Sequence, residues 1–270
     1  MKVAALVTLT LALGLKCAAL GAQIEGIPWT DANIAQLNKS DKAAVAAFLN
    51  GLRGPGTEAL NPYNISVFKW VDLAGDGKCE LVLGTHWPAL SATTIYWQES
   101  TGDFINQTLT GEVSLKDGIK DLNGDGKKEI IVDSYLDPTG RRAAGSATPV
   151  WPQVYRLQDE EYVPASAEFP GFYDLEILPK LDREIADTPP RSQLAAAALE
   201  MQRDKIRRVL GRDPNAGLEK ARYWATTGDP QLIWDAVDVL RDIGGHEEEL
   251  RTAEQAGKQA WQHWLATHEK

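Results

Sequence analysis

The chain has 270 residues, 43% of them hydrophobic and 24% charged, an ordinary composition for a folded protein of one large or two modest domains. The formal net charge is −10, and it becomes −12 once the leader lysines Lys2 and Lys16 are removed. Such acidity argues against a nucleic-acid partner, which demands clustered Lys and Arg, and is compatible with binding divalent cations.

Met1-Lys2, the apolar run Val3–Leu15 and the small residues up to Ala22 have the form of a secretory signal peptide over residues 1–21. The run is too short to span a membrane, and no other stretch could do so. Ala19-x-Gly21 favours a cut before Ala22, with a cut before Gln23 as the alternative. Lys16 stands where a lipoprotein signal carries a small residue before its cysteine, which argues against lipidation of Cys17. The mature chain is therefore expected in the periplasm or outside the cell. Cys79 alone remains after cleavage, so no intramolecular disulfide can form. Cys79 reads as a small buried residue at the start of a strand.

Residues 22–60 read as a helical lead-in, with one short helix from Thr30-Asp31 to Leu37. Ser40-Asp41 caps a second that carries Ala44, Val45, Phe48, Leu49 and Leu52 at helical spacing. Residues 61–175 read as two β repeats. In the first, strands are expected at Ser66–Val71, Glu80–Gly84, Thr93–Gln98 and Phe104–Leu109. In the second they fall at Ser114–Lys120, Glu129–Tyr135, Val150–Leu157 and Tyr162–Ser166, with a turn at Gln158–Glu161. Tyr96-Trp97…Phe104 and Val154-Tyr155…Tyr162 occupy matching places. The prolines of Phe169–Arg191 suggest a wrapping strand and then a linker over 176–191.

From 192 to 270 the pattern is helical. Leu194, Leu199, Ile206, Val209 and Leu210 supply one apolar side, and Gly211 stops that helix. Asp213-Pro214 and Asp229-Pro230 each read as an N-cap followed by proline. The helix after Pro230 ends at Gly244-Gly245. A last helix from about Glu247 is expected to bury Trp261, Trp264 and Leu265.

The chemistry-bearing stretch is Asp121-Leu-Asn123-Gly-Asp125-Gly-Lys127-Lys-Glu129, followed by Ile-Ile-Val. Oxygen side chains fall at loop positions one, three, five and nine, and the backbone carbonyl of Lys127 stands at seven. Hard cations such as calcium take several oxygens in a flexible shell, whereas zinc and copper prefer His or Cys. An EF-hand would need a glutamate at position twelve and flanking helices. Here that position is Val132 and the exit is a β-branched strand. An earlier copy, Asp72-Leu-Ala-Gly-Asp76-Gly-Lys78-Cys-Glu80, lies at an offset of 49 residues (121 − 72).

These two segments, with their apolar exits, resemble the calcium-loop signature of FG-GAP (integrin-α-like) or VCBS-type β-propeller repeats. The resemblance covers about residues 66–165. It implies that each loop joins the first two strands of a four-stranded blade and identifies a scaffold rather than an activity. In the second loop the calcium ligands would be Asp121, Asn123, Asp125, Lys127 through its carbonyl, and Glu129. In the first they would be Asp72, Asp76, the Lys78 carbonyl and Glu80, with Ala74 unable to contribute at position three. The expected fold is α+β: two propeller-blade-like antiparallel units between the lead-in and a C-terminal helical domain.

The ion reads as structural, because its ligands sit within one loop that clamps two strands. His263 and His268 are five apart, off the spacing that puts two side chains on one helix face. His246 lacks the second histidine of a zinc-protease motif, and no nucleophile elbow or phosphate loop occurs. The leading expectation is a secreted, non-catalytic calcium-binding module whose partner is another protein or a second copy, because two blades leave sheet edges to cover. The alternatives are a glycan binder using Trp87 and Trp97, and a hydrolase whose first candidate residues are Asp137, Arg141 and Arg142.

Overall fold

The computed structural model describes residues 60–87, 90–98, 104–114, 117–136, 149–189 and 192–268, with residues 23, 24, 27, 28, 43, 46, 47 and 50 of the lead-in. The leader, the helix expected at Thr30–Leu37 and the triplet Asp137, Arg141 and Arg142 lie outside the described residues. Within the lead-in, β1 (Gln23–Ile24) and β2 (Ile27–Pro28) pair antiparallel, and positions 43, 46, 47 and 50 are helical.

The fold is α+β. Its first sheet has four strands in the order β3 (Ile65–Val71), β4 (Glu80–Trp87), β5 (Leu90–Gln98) and β6 (Phe104–Thr110), all antiparallel. The second has five: β11 (Glu161–Pro164), β10 (Val150–Gln158), β9 (Glu129–Tyr135) and β7 (Glu112–Val113), with β8 (Ile119–Lys120) also paired to β9. Leu81–Thr85 and Glu129–Val132 are buried without alternation, as expected of central strands covered on both faces. Asp159 and Glu160 both adopt positive φ (47° and 69°), closing the two-residue turn that pairs Gln158 with Glu161.

The strand expected at Ser114–Lys120 is broken. The Ile131 N–H donates to the Gly118 carbonyl, while its own carbonyl accepts from Ser114 N–H, so Ser114 and Gly118 meet the same residue of β9. Asp117 holds a φ of 61°, and a Cβ on Gly118 would lie 2.3 Å from the Ser114 carbonyl oxygen, so only glycine lets the chain double back. Trp87, beyond the strand expected at Glu80–Gly84, is the last residue of β4, paired with Leu90.

The segment expected as a wrapping strand and linker is mostly helix. A helical turn at Pro170–Phe172 leads through a wide π turn, Tyr173–Ile177, into α1 (Leu178–Asp187). Proline tolerates the first turn of a helix, where its missing N–H is not needed, and both Pro170 and Pro179 occupy such places. Tyr173, Ile177, Leu181 and Ile185 recur every four residues and form the stripe of this run. Tyr173 is fully buried and donates its hydroxyl to the Pro152 carbonyl at 2.7 Å.

Four further helices follow: α2 (Gln193–Val209), α3 (Leu218–Trp224), α4 (Pro230–Ile243) and α5 (Glu247–His268). Asp229 caps α4 as expected, accepting from the N–H groups of Gln231 and Leu232. Asp213 does not cap a helix. It accepts from Asn215 N–H in a turn, and α3 begins only after Gly217, whose φ is 92°.

By contact density the chain divides into two compact units, 1–133 with 154–164, and 134–153 with 165–270. The core of the first includes Val67, Leu73, Val82, Ile95, Ile130, Val132 and Tyr162. That of the second includes Met201, Ala221, Trp224, Leu232, Ala236, Leu240 and Ala253. Trp261, Trp264 and Leu265 are half-buried rather than buried.

Candidate metal centre

The two acidic loops occupy equivalent places. Val71, just before Asp72, pairs with Glu80, and Lys120, just before Asp121, pairs with Glu129, so each loop closes a hairpin of the same length. Their internal bonds match one for one. In the second loop Asp121 accepts from Gly124 N–H at 2.6 Å and Gly126 N–H at 2.9 Å, Asp125 accepts from Lys127 N–H at 2.8 Å, and Glu129 accepts from Leu122 N–H at 2.7 Å. In the first, Asp72 accepts from Gly75 and Gly77, Asp76 from Lys78, and Glu80 from Leu73, at 2.7 to 2.9 Å. Asn123 adds two bonds of its own, accepting from Asp125 N–H and donating to the Asp125 carboxylate. Ala74 has no counterpart to either.

The loops lie against each other. Lys128 donates its backbone N–H to the Leu73 carbonyl at 2.8 Å and its ammonium to the Asp72 carbonyl at 2.9 Å. A Cβ on Gly75 would stand 2.6 Å from the Gly126 carbonyl oxygen, so the absence of a side chain there permits the approach. Tyr162 donates its hydroxyl to the Lys128 carbonyl at 3.2 Å. Its own backbone N–H and carbonyl are both engaged by the Gln107 amide, at 2.7 and 2.8 Å.

The electrostatics are those of crowded anions. Burial pushes the Glu80 carboxyl up to about 7, with Asp76 and Asp72 adding to the effect and the Leu73 N–H opposing it. Glu129, only 2% exposed, is also raised, first by burial and then by Asp125 and Asp121, against the Leu122 and Glu129 N–H groups. Asp121 is held below the usual carboxylate range, chiefly by the Gly126 N–H. The Tyr162 phenol is driven up by burial and by the fields of Glu80 and Glu129.

This donor set suits a hard cation. Every side-chain donor is oxygen, and a carboxylate oxygen that accepts one N–H retains a further lone pair. Asp121, Asn123, Asp125 and Glu129 would hold the ion, with the Lys127 carbonyl as the main-chain donor. In the first loop Asp72, Asp76, Glu80 and the Lys78 carbonyl are in corresponding positions, but the Lys128 ammonium already supplies positive charge at the Asp72 carbonyl. Among the described residues no three His, Cys, Asp or Glu side chains are grouped closely enough to hold a metal ion.

Other chemistry finds less support. His86 Nδ1 lies 2.8 Å from Ser91 Oγ and 3.4 Å from Glu112 Oε2, so both partners meet the same ring nitrogen. Ser91 is also completely buried, which rules out a nucleophile–base–carboxylate relay there. In the second unit a cavity of about 330 Å³ is lined by Trp151, Lys205, Arg208, Arg241 and Asp242 among others. Lys205 and Arg208 pair with Asp242, and Arg241 pairs with Asp238 and Glu254, which commits these cations to protein carboxylates. Trp97 packs against the core of the first unit, and the Trp87 side chain lies outside the described residues.

The contacts of Lys128, Tyr162, Gln107 and Gly75 carry no sequence signal of their own, because each joins segments far apart in the chain. No known protein family, curated protein or solved structure matches the chain. Among the described residues no helix is long and apolar enough to cross a membrane.

Proposed function

We propose that this protein is a secreted or periplasmic, non-catalytic calcium-binding module that presents its β unit to another protein or to a second copy of itself. The observation that carries the reading is the acidic Asp121–Glu129 loop: four oxygen side chains, one of them a buried glutamate, arranged at a hairpin tip beside a second loop of the same form. Mutual repulsion among these carboxylates disfavours the bare loop, and a divalent cation would offset it. The ion's role is structural, since it ties β8 to β9 and steadies the loop–loop contact.

Lys128 distinguishes the loops. It brings a charge to the first that would compete with calcium, so one ion per chain is the expected stoichiometry. Calorimetric titration of the full mature chain with calcium tests this. One site is expected, lost in Asp125→Ala and retained in Asp76→Ala. Two equal sites, or none, would overturn the assignment. The partner reading is tested by measuring molar mass in solution with and without calcium.

A further inference from the structure

A second candidate site lies wholly among the helices, and it does not depend on calcium. Trp234 of α4 lies against α5 at Gly257, where an added Cβ would be 3.0 Å from the indole ring. One turn further along α5, Trp261 emerges. Trp234, Lys258, Trp261 and Gln262 together line a cavity of about 320 Å³, at the small end of the ligand-site range of about 300–1,000 Å³. Both indoles are half-buried, whereas Lys258 and Gln262 are exposed, so the slot has apolar walls and a wet polar rim.

Trp261 is braced. It stacks on Trp264 at 5.3 Å and 18°, and Trp264 stacks in turn on His268 at 4.7 Å and 12°. Lys258 supplies a positive charge at the rim of the slot, and α5 carries no carboxylate from Gln255 to His268. Glu254, one turn before Lys258, is taken by Arg241 at 3.0 Å. On the facing helix Asp238 also pairs with Arg241, and Asp235 is buried beside the Gln231 amide. Among the described residues no carboxylate pairs with Lys258.

A ring with two apolar faces, a polar edge and a negative charge matches this slot. A planar aromatic acid would leave apolar edges in water at the open rim, whereas a sugar ring presents hydroxyls there. We propose that the slot between Trp234 and Trp261 binds a pyranose carrying a carboxylate, of the uronic-acid class. Its faces lie against the indoles, its carboxylate meets the Lys258 ammonium, and its hydroxyls exchange hydrogen bonds with the Gln262 amide.

The test uses the full mature chain, titrated with short oligomers of galacturonate and of glucuronate and followed by tryptophan fluorescence and calorimetry. The neutral galactose and glucose oligomers and phenylacetate serve as comparisons. At least one uronate oligomer is expected to bind at least tenfold more tightly than its neutral counterpart. Trp261→Ala should weaken that binding at least tenfold. Lys258→Gln should remove the preference for the acid. The proposal is overturned if neither uronate binds, if neutral sugars bind equally, if phenylacetate binds more tightly than both uronates, or if Lys258→Gln keeps the preference.

Discussion

Gln107→Glu is the most revealing single change in the β unit. The wild-type amide accepts from Tyr162 N–H at 2.7 Å and donates to the Tyr162 carbonyl at 2.8 Å, so one side chain imitates a strand partner for β11. The carboxylate keeps the acceptor but sets a second oxygen against the carbonyl. One hydrogen bond, worth about 0.5–1.5 kcal/mol, is lost, and a part-buried carbonyl is left facing negative charge, a further cost of about 1–3 kcal/mol. The sum, about 1.5–4.5 kcal/mol, corresponds to a fall in melting temperature of roughly 3–18 °C for a chain of this size. Protonation turns the second oxygen into a donor, so the introduced glutamate has a raised folded-state pKa. Its favourable form is fully present below the unfolded value of about 4.3 and is lost as pH rises through the folded value. Scanning calorimetry of Gln107→Glu and Gln107→Ala between pH 5 and 8 separates the two effects. The glutamate variant should recover stability relative to the alanine variant as pH falls. Equal pH dependence in the two variants, or a neutral-pH loss under about 0.5 kcal/mol for Gln107→Glu, would refute the clasp.

The loop contact makes a paired prediction. Gly75→Ala meets both a positive φ and the Gly126 carbonyl, whereas Gly77→Ala meets only a positive φ with open space around it. Chemical denaturation should show about 1 kcal/mol lost in the latter and at least twice that in the former. Asp229→Ala removes the carboxylate that accepts from two N–H groups at the start of α4, and should cost about 1 kcal/mol by the same assay. Burial alone would raise the Asp242 carboxyl, but Lys205 and Arg208 outweigh it and hold the group below its usual value. Its contribution is therefore present above the unfolded pKa of about 3.9 and is lost as pH falls through the folded value. Asp242→Asn should flatten the acid side of the stability profile, and an unchanged profile would deny the ion pair its role.

What the sequence made legible were features with local causes. The β-branched run Ile130-Ile131-Val132 marked Glu129–Tyr135, β-branched and aromatic residues marked Val150–Leu157, and the glycine-spaced aspartates marked both loops. Asp229-Pro230 marked the start of α4 because both residues act on their own helix turn. Misreadings came where a residue has two physical meanings. Pro170 and Pro179 suggested a wrapping strand and then a linker, although proline is equally at home in a first helical turn, and the four-residue stripe from Tyr173 to Ile185 was the signal to weigh against it. Asp117-Gly118 interrupts a strand through a long-range bond between Gly118 and Ile131, which no local pattern encodes. The same holds for the site: its donor spacing is local, but the Lys128 bridge and the Gln107 clasp join residues 56 and 55 positions apart.

The central claim is that the Asp121–Glu129 loop is a calcium clamp. Thermal melting of the mature chain in 10 mM calcium against EDTA tests it most directly. With a dissociation constant of about 0.1–1 mM, ordinary for extracellular sites, linkage gives about 1.4–2.7 kcal/mol, or roughly 3–10 °C. The account predicts that rise in the wild type and in Asp76→Ala, and its loss in Asp125→Ala. A wild-type melting temperature indifferent to calcium, or a shift that survives in Asp125→Ala, would contradict it.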